Sequence, residues 1–304
     1  MERKISRNLV NRFSPPNRIG TKQNNNANIN MNNEINSVNL KSKISYQLDI
    51  TMNTSGNYNL SDSFENDENK HDIEVGFLIV CTGKYDIFVK PLIESIEKYI
   101  LPNNKKYYNI FSDQDIELPI DNYKIFPIEH RPFPYPTLYR FHFFNKYFSE
   151  IKGDQLVYID ADTLITDNIG TEILYPITVT QHCGYVNRRG TFETRNESMA
   201  CVNHNAGKNY YGGGFYSFSR DQFYELMSSC ISIIDTDNAK GIIPVWHDES
   251  ALNKYMTTVT PNRVLSPSYH YPENIEHIYE SWGGKEKYVC KILLLNKNHK
   301  EIRE

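Results

Sequence analysis

Two carboxylates separated by one residue end a short apolar run. The segment Gln155-Leu-Val-Tyr-Ile leads directly into Asp160, and Asp162 follows two positions later. The carboxyl ends of strands in an open α/β sheet are where ligands bind. Two carboxylates at i and i+2 can share one hard cation while leaving coordination positions for phosphate oxygens. The pair therefore predicts a metal-diphosphate site, although a solvated turn or helix cap is the alternative for an isolated Asp-x-Asp.

Three consecutive glycines form a second unusual segment. Gly212, Gly213 and Gly214 lie between Asn209-Tyr-Tyr and Phe-Tyr-Ser. Glycine within a strand indicates a bulge or a close approach of the backbone to a neighbour. The functional interpretation is a pocket floor kept clear of side chains, on which a bulky ring can lie.

The block Val245-Trp-His-Asp-Glu-Ser250 combines an aromatic plate, an imidazole and two carboxylates at a predicted helix start. Carbohydrate sites pair aromatic faces with acidic hydrogen-bond acceptors, and glycosyl chemistry uses carboxylates to stabilise oxocarbenium-like charge. Taken alone, the block also fits an N-capped helix with an interfacial Trp.

Elements that can position these residues follow from hydrophobic periodicity. A continuous apolar run predicts a buried strand at Val75–Cys81, and apolar residues at helical spacing follow it from Ile87 to Ile100. A capping-box pattern at Ser219 predicts a helix to about Ile234, and Asp248 is expected to cap another through Met256. The remaining predicted elements are strands at 107–111, 124–128 and 155–160 and a helix at 138–148. Alternating strands and helices predict an α/β fold with a mainly parallel, Rossmann-like sheet flanked by helices.

Composition divides the 304-residue chain near residue 72. Hydrophobic residues make up 39% and aromatic residues 13%, and they are concentrated after Ile73. Residues 1–72 are Asn-rich and polar, and such a segment cannot bury enough apolar surface to offset its chain entropy. We therefore expect a disordered leader at 1–72 and one catalytic domain at 73–304.

Charge, hydropathy and cysteine usage limit the function classes. The net charge is −4 and no basic stripe is present beyond Arg188-Arg189, which disfavours nucleic-acid binding. The longest apolar run is far shorter than the roughly 20 residues of a transmembrane helix, and no signal peptide is evident. Five cysteines without metal-ligand spacing predict free thiols in a reducing compartment. Together these features predict a cytoplasmic protein, and comparison with the family whose resemblance is described below implies a bacterial or viral setting.

The motifs also carry a resemblance to a known family. Their order and spacing resemble glycosyltransferase family 6, which includes the histo-blood-group A and B transferases and α1,3-galactosyltransferase. The resemblance covers about residues 74–304 and rests on Asp160-Ala-Asp162, Tyr210-Tyr-Gly-Gly-Gly-Phe215, Ala239-Lys-Gly-Ile-Ile-Pro-Val-Trp-His-Asp-Glu-Ser-Ala-Leu-Asn-Lys-Tyr255, Val264-Leu-Ser-Pro-Ser-Tyr269 and Lys297-Asn-His299.

This resemblance implies a GT-A fold and Mn²⁺, or another divalent cation, as cofactor. It also implies a UDP-Gal or UDP-GalNAc donor and α1,3-transfer, with retention, to a galactoside-terminated glycan. Because neither Gly212 nor Gly214 carries a side chain, we expect a roomy pocket that accepts UDP-GalNAc in preference to UDP-Gal.

Roles are carried over residue by residue. Asp160 and Asp162 resemble the metal pair, and Glu249 resembles the carboxylate nearest the reaction. The implied nucleotide-binding residues are Val80, Cys81, Thr82, Tyr85, Arg140, Asp160, Ala161, Asp162, Lys297 and Arg303. The implied donor-sugar residues are Gly212, Gly213, Gly214, His247 and Asp248, and the implied acceptor residues are His182, Thr191, Trp246 and Glu249.

The chain departs from the family where an acidic acceptor residue is expected, because Pro272 or Glu273 stands there. Acceptor identity therefore stays open. Two other classes compete with a transferase. A sugar-nucleotide-binding or lectin-like protein without turnover predicts a broken metal pair or a missing Glu, and a metal-dependent phosphohydrolase predicts more His or Asp ligands. Neither pattern is present in the sequence.

Overall fold

The computed structural model describes residues 60, 62–186, 188–274 and 276–303. The strands are β1 Val75–Val80, β2 Lys106–Ser112, β3 Tyr123–Pro127, β4 Gln155–Ile159, β5 Thr163–Ile165, β6 Ile177–Gln181, β7 Tyr211–Ser219, β8 Arg263–Leu265, β9 Tyr271–Pro272 and β10 Ile292–Leu294. The α-helices are α1 Val89–Tyr99, α2 Tyr135–Leu138, α3 Arg140–Tyr147, α4 Arg220–Ala239, α5 His247–Tyr255, α6 Tyr279–Trp282 and α7 His299–Arg303. Short 3₁₀ helices lie at Glu68–Lys70, Gly83–Phe88, Thr171–Ile173, Cys183–Tyr185, Pro267–Tyr269, Glu276–Ile278 and Lys285–Lys287.

A seven-stranded sheet in the order β3-β2-β1-β4-β7-β6-β8 forms the centre of the fold. Every neighbouring pair is parallel except the two that include β7, which runs antiparallel to both β4 and β6. The mainly parallel sheet predicted from the sequence is therefore confirmed. Because β7 lies beside β4, its glycines are brought next to the Asp160 end of that strand.

Both faces of this sheet are covered by apolar side chains. Successive residues of β4 alternate between two core clusters: Leu156 belongs to the cluster that includes residues of α3, α4 and α5, whereas Val157 belongs to the cluster that includes residues of α1. A strand buried on both faces reads as a continuous apolar run. This burial explains why β1 and β4 were recognisable in the sequence.

A second sheet of three strands, β5-β10-β9, holds the C-terminal part of the chain. Strand β10 pairs antiparallel with β5, and the amide of Leu295 then donates to the carbonyl of Asp162 at 3.0 Å. The small sheet thereby carries the residues after β10 to the carboxyl end of β4. Within the described ranges, no helix combines the length and apolar content needed to cross a membrane.

Helix α4 begins after Ser219 as predicted, but other details of the helix caps and ends differ from the predictions. The side chain of Ser219 makes no capping hydrogen bond, and α4 continues to Ala239 instead of ending near Ile234. Helix α5 begins at His247 with Trp246 as N-cap, so Asp248 lies in the first turn and is not the cap. Its carboxylate instead pairs with Arg140, because tertiary ion pairing outcompetes a local cap. The helix predicted at 138–148 divides into α2 and α3.

The predicted disordered leader is only partly tested. Residues 1–59 lie outside the described residues. From residue 62 to residue 72 the structure differs from the expectation, because the chain is bonded to the domain. Glu65 pairs with Arg263 at 2.6 Å, and its amide donates to Glu172 at 2.9 Å. Polar segments of this kind are ordered here by hydrogen bonds and ion pairs, which apolar periodicity does not reveal.

Candidate active site

A cavity of about 260 Å³ opens at the carboxyl ends of β1 and β4. It is lined by Val80, Thr82, Tyr85, His130, Arg131, Phe133, Pro136, Thr137, Arg140, Tyr158, Asp160, Ala161, Asp162, Lys297, Ile302 and Arg303. Nine of the ten residues predicted to bind a nucleotide are in this list. Cys81 is not, because its side chain is 1% exposed and packs in the core.

Asp160 follows the last residue of β4 and is held from two sides. Its amide donates to the carbonyl of Gly214 at 2.9 Å, and the hydroxyl of Tyr158 donates to Oδ1 at 2.6 Å. The carboxylate is 35% exposed and faces the cavity. Tyr158 is two residues earlier in the same strand and therefore shares its face. Sequence reasoning missed Tyr158, although this alternation could have identified it.

Asp162 lies farther along the same wall of the cavity. Its Oδ2 forms an ion pair with Lys297, which the small sheet brings to this position. Burial lowers the pKa of Lys297, while the nearby charge of Asp160 acts in the opposite direction. Asp162 was predicted to bind the metal and Lys297 to bind the diphosphate. The two residues are far apart in the chain but are direct neighbours in the structure.

Arg140 connects the separate parts of the site. Its guanidinium is 6% exposed and lies 3.0 Å from Asp248 and 3.5 Å from Asp160. The same group donates to the carbonyl of Gly213 at 3.1 Å and lies 4.2 Å from the centre of the Tyr158 ring. A planar guanidinium can serve several acceptors in fixed directions, which an ammonium cannot do. Arg140 therefore fixes β4, β7 and α5 relative to one another.

Asp248 is the most buried carboxylate of this group, with its side chain 2% exposed. Burial raises the pKa of Asp248 to about 7, while Arg140 acts to lower it and the charges of Asp160 and Glu249 add to the rise. Among the described residues, nothing donates a hydrogen bond to its Oδ1. Buried polar atoms are normally paired, so this oxygen has room in its bonding for a further hydrogen-bond donor.

The three glycines of β7 face in alternating directions. A Cβ on Gly213 would lie 3.2 Å from Glu249, whereas a Cβ on Gly212 would lie 3.0 Å from the Nε2 atom of His270. On Gly214 the added atom would approach Asp160 at 2.9 Å and His270 at 3.3 Å. An imidazole from a distant segment therefore borders the space beside both outer glycines, and the expected acceptance of UDP-GalNAc stays a prediction.

Glu249 lies on the other face of β7. Its Oε2 accepts from the amide of Gly213 at 2.7 Å, and Asn253 donates to its carbonyl at 3.0 Å. The negative charge of Glu249 acts to raise the pKa of His182, of Tyr210 and of Asp248, so these three groups lie near it. The carboxylate is thus fixed by the backbone at a point between the cavity and the residues predicted for the acceptor.

Of the residues predicted for the acceptor, Thr191 and Trp246 are exposed, whereas His182 and Glu249 are partly buried. The indole nitrogen of Trp246 donates to the hydroxyl of Thr191 at 2.8 Å, and Tyr185 lies 2.7 Å from the same hydroxyl. Trp246 is 45% exposed. His182 packs beside Tyr185, with 4.8 Å between ring centres. An exposed aromatic plate with neighbouring hydroxyls suits the apolar face of a sugar.

The C-terminal helix forms one wall of the cavity. The guanidinium of Arg303 lies 3.8 Å from the centre of the Phe133 ring, and Lys84 donates to the carbonyl of Glu301 at 2.8 Å. His247 contacts Phe133 edge-on at 5.1 Å and has φ +53°. Positive φ in a non-glycine residue costs about 1–3 kcal/mol and persists where the surroundings impose it, often at functional sites.

Hard oxygen donors and softer donors occupy different places. Asp160 and Asp162 line the cavity, and their oxygens are the ligand type that Mg²⁺ and Mn²⁺ prefer. Their charge is balanced by Arg140 and Lys297. A partly buried carboxylate pair that lines a cavity and is opposed by an ammonium fits a cation site. A separate group of softer donors, His182, Cys183 and His270, has its atoms within 4.8 Å of one another. Burial raises the pKa of the Cys183 thiol to about 12.

The geometry of the site and the topology of the sheet together define the class of protein. A mainly parallel sheet with one reversed strand, and an acidic pair at the carboxyl end of a central strand, is the GT-A arrangement. A sequence model of glycosyltransferase family 6 matches residues 51–304. This chain belongs to glycosyltransferase family 6. The family resemblance and the GT-A fold predicted from the sequence are confirmed, and by class the protein is a hexosyltransferase.

Individual relatives come from animals and bacteria. Histo-blood group ABO system transferase 1 of Rattus norvegicus is 31% identical over 243 residues, which is 75% of this chain and 68% of the relative. Globoside alpha-1,3-N-acetylgalactosaminyltransferase 1 of Canis lupus familiaris is 28% identical over 211 residues, 65% of this chain and 61% of the relative. O-antigen biosynthesis glycosyltransferase WbnI of Escherichia coli is 27% identical over 208 residues, 66% of this chain and 88% of the relative.

Proposed function

We propose that this protein is a metal-dependent α1,3-glycosyltransferase that moves GalNAc, or Gal, from a UDP-sugar to a galactoside with retention at the anomeric carbon. The observation that carries the proposal is the connection made by Arg140. This one buried guanidinium contacts Asp160 in the cavity and Asp248 beside Glu249. It thus joins a site for a charged diphosphate to a site for a sugar.

The cavity suits a nucleoside diphosphate. Tyr85 offers an aromatic face, and Lys297 and Arg303 offer positive charge toward the same space. Charge-assisted hydrogen bonds to phosphate are roughly twice as strong as neutral ones. When it is bound at Asp160 and Asp162, a divalent cation such as Mn²⁺ supplies Lewis-acid stabilisation of the leaving diphosphate. Lys297 then reinforces that stabilisation from the C-terminal segment.

Helix α7 excludes water from the donor. Its contacts with Phe133 and Lys84 keep it against the cavity. Closure over a reactive donor prevents hydrolysis by bulk water. We assign this protective role to residues 297–303, with Arg303 covering Phe133 at the cavity wall.

The donor sugar lies along β7, where Asp248 accepts a hydroxyl through Oδ1. Glu249 faces the anomeric carbon from its position on Gly213. It either attacks that carbon or stabilises an ion pair while the acceptor hydroxyl enters on the same face. Both routes use a fixed carboxylate beside developing positive charge. The acceptor galactoside stacks on Trp246, next to Thr191.

A product assay tests this function. The protein is incubated with UDP-GalNAc or UDP-Gal, Mn²⁺ and a panel of β-galactosides, and the product linkage is determined by NMR. We expect an α1,3-linked disaccharide that is absent in EDTA. Release of UDP without a glycoside product would instead indicate hydrolysis, and donor binding without turnover would indicate a sugar-nucleotide-binding protein.

A further inference from the structure

His270 occupies the notch that the outer glycines of β7 create. Its Nε2 atom would lie 3.0 Å from a Cβ on Gly212 and 3.3 Å from a Cβ on Gly214, which is closer than ordinary van der Waals contact. The missing side chain of Gly214 also adjoins Asp160. The notch therefore borders the diphosphate end of the candidate donor site. The ring of His270, which comes from a distant segment of the chain, thus lies where β7 has no side chains of its own.

The Nδ1 atom of His270 is buried without a hydrogen-bond partner in the described part of the chain. The residue is 8% exposed, and its Nδ1 is a buried nitrogen that no group among the described residues reaches. Its ring is packed beside His182, with 5.1 Å between centres. Leaving a buried polar group unpaired costs about 1–3 kcal/mol. The Nε2 side of the ring faces the outer glycines and is therefore the side from which it can bond a donor sugar.

His270 is neutral at physiological pH. Burial lowers its pKa to about 3, and the neighbouring His182 adds to the effect. A neutral imidazole offers one N–H donor and one acceptor. The Nε2 atom can thus donate to the carbonyl of an amide or, in the other tautomer, accept from its N–H. A sugar hydroxyl at the same carbon is shorter than an acetamido group and reaches less deeply into a notch.

Resting on the proposed function, we propose that His270 hydrogen-bonds the 2-acetamido group of the donor sugar and so selects UDP-GalNAc over UDP-Gal. Space alone discriminates weakly between donors, whereas a site built to hydrogen-bond a substrate group rejects the analogue that lacks it. The opposite role is a steric one. In that case the ring would fill the notch, exclude the acetamido group and favour UDP-Gal.

Three substitutions separate these roles. His270→Leu keeps most of the side-chain volume but removes the hydrogen bond, His270→Gln restores a donor and an acceptor, and His270→Ala opens space. We measure kcat/KM for both donors at saturating acceptor and Mn²⁺, and donor Kd by calorimetry. His204→Leu, at an exposed position, is the matched control, and thermal unfolding confirms that each variant is folded.

We expect His270→Leu to lower the UDP-GalNAc to UDP-Gal ratio by about 10- to 100-fold. The loss should fall on UDP-GalNAc, and His270→Gln should restore part of it. If His270→Leu turns over normally and its UDP-GalNAc to UDP-Gal ratio is unchanged, the role assigned to His270 is overturned and the proposed function is not. A rise in relative UDP-GalNAc use in His270→Ala overturns it in favour of steric exclusion. Failure of the wild-type protein to use either donor overturns the proposed function and this assignment together.

Discussion

The Nε atom of Arg140 lies 3.0 Å from the Oδ2 atom of Asp248, and both side chains are almost completely buried. The pair joins α3 to α5 beneath the candidate donor site. Breaking a buried ion pair by removing one partner costs about 3–5 kcal/mol, because the remaining charge is left without compensation. Stability and donor use should therefore both depend on this contact.

Arg140→Leu should lower the free energy of unfolding by about 3–5 kcal/mol and abolish transfer. In the double variant Arg140→Leu/Asp248→Asn, stability should be partly recovered while activity is not, because no unpaired carboxylate remains buried. Urea unfolding of Arg140→Leu, Asp248→Asn and the double variant gives a double-mutant cycle for the free energy of unfolding. Additive losses of stability would contradict direct coupling between the two residues.

Asp160→Asn and Asp162→Asn should each reduce kcat/KM by about 100-fold or more, since several kcal/mol of leaving-group stabilisation would be lost. Both proteins should remain folded, because these side chains line the cavity and do not fill the core. Asp115→Asn, at an exposed position away from the cavity, is the matched control. Equal wild-type activity in EDTA and in Mn²⁺ would contradict the metal assignment.

Glu249→Gln and Glu249→Ala test the carboxylate nearest the proposed reaction. Gln can still accept the hydrogen bond from Gly213, whereas Ala cannot. A carboxylate that acts in the transition state affects kcat far more than donor KM. We expect both variants to lose about 100-fold or more in kcat, measured under saturating donor and acceptor. If Gln retains wild-type kcat while Ala loses it, Glu249 supports the backbone and does no chemistry.

Glu193 should make stability depend on acid pH. Hydrogen bonds from the side chain of Arg195, and from the amides of Arg195 and Val245, lower the pKa of Glu193 to about 2. A lowered carboxylate pKa gives stability that is full above the unfolded value near 4.5 and is lost as pH falls toward 2. Because Arg195 is half exposed, screening limits the effect to about 1–2 kcal/mol.

The test compares wild type with Glu193→Gln by urea unfolding at pH 7 and pH 3. The difference in free energy of unfolding should shrink at pH 3, because the carboxylate is then mostly protonated in the unfolded chain and still mostly ionised in the folded protein. Acceptor KM should also rise in Glu193→Gln, because Val245 precedes the Trp246 surface. Glu197→Gln is an exposed control. A stability difference that is constant with pH would contradict this account.

Two N-terminal deletions should behave differently. Removal of residues 1–59 should leave the melting temperature within about 2 °C, since the leader lacks apolar periodicity. Removal of residues 1–72 also deletes Glu65, whose amide bonds the fully buried Glu172 and whose carboxylate pairs with Arg263. That loss should lower the melting temperature by about 4–8 °C. Equal melting temperatures would show that residues 62–72 add nothing to stability.

Local features of the sequence determined much of the fold. Strands β1 and β4 were predictable because a strand buried on both faces must be continuously apolar. The position of Asp160 at the end of β4 placed it at the ligand-binding edge of the sheet. The candidate nucleotide-binding residues were implied by the family resemblance, and all of them except Cys81 line one cavity.

Only the tertiary structure decided which distant side chains meet. The sequence predicted Asp248 as a helix cap and two glycines as open space, but Arg140 takes the carboxylate and His270 borders the space. Segments 62–72 and 297–303 likewise lack an apolar pattern, and their positions depend on polar contacts with residues far away in the chain. Periodicity reports which faces are buried. It carries no information about the partner that a buried polar group will find.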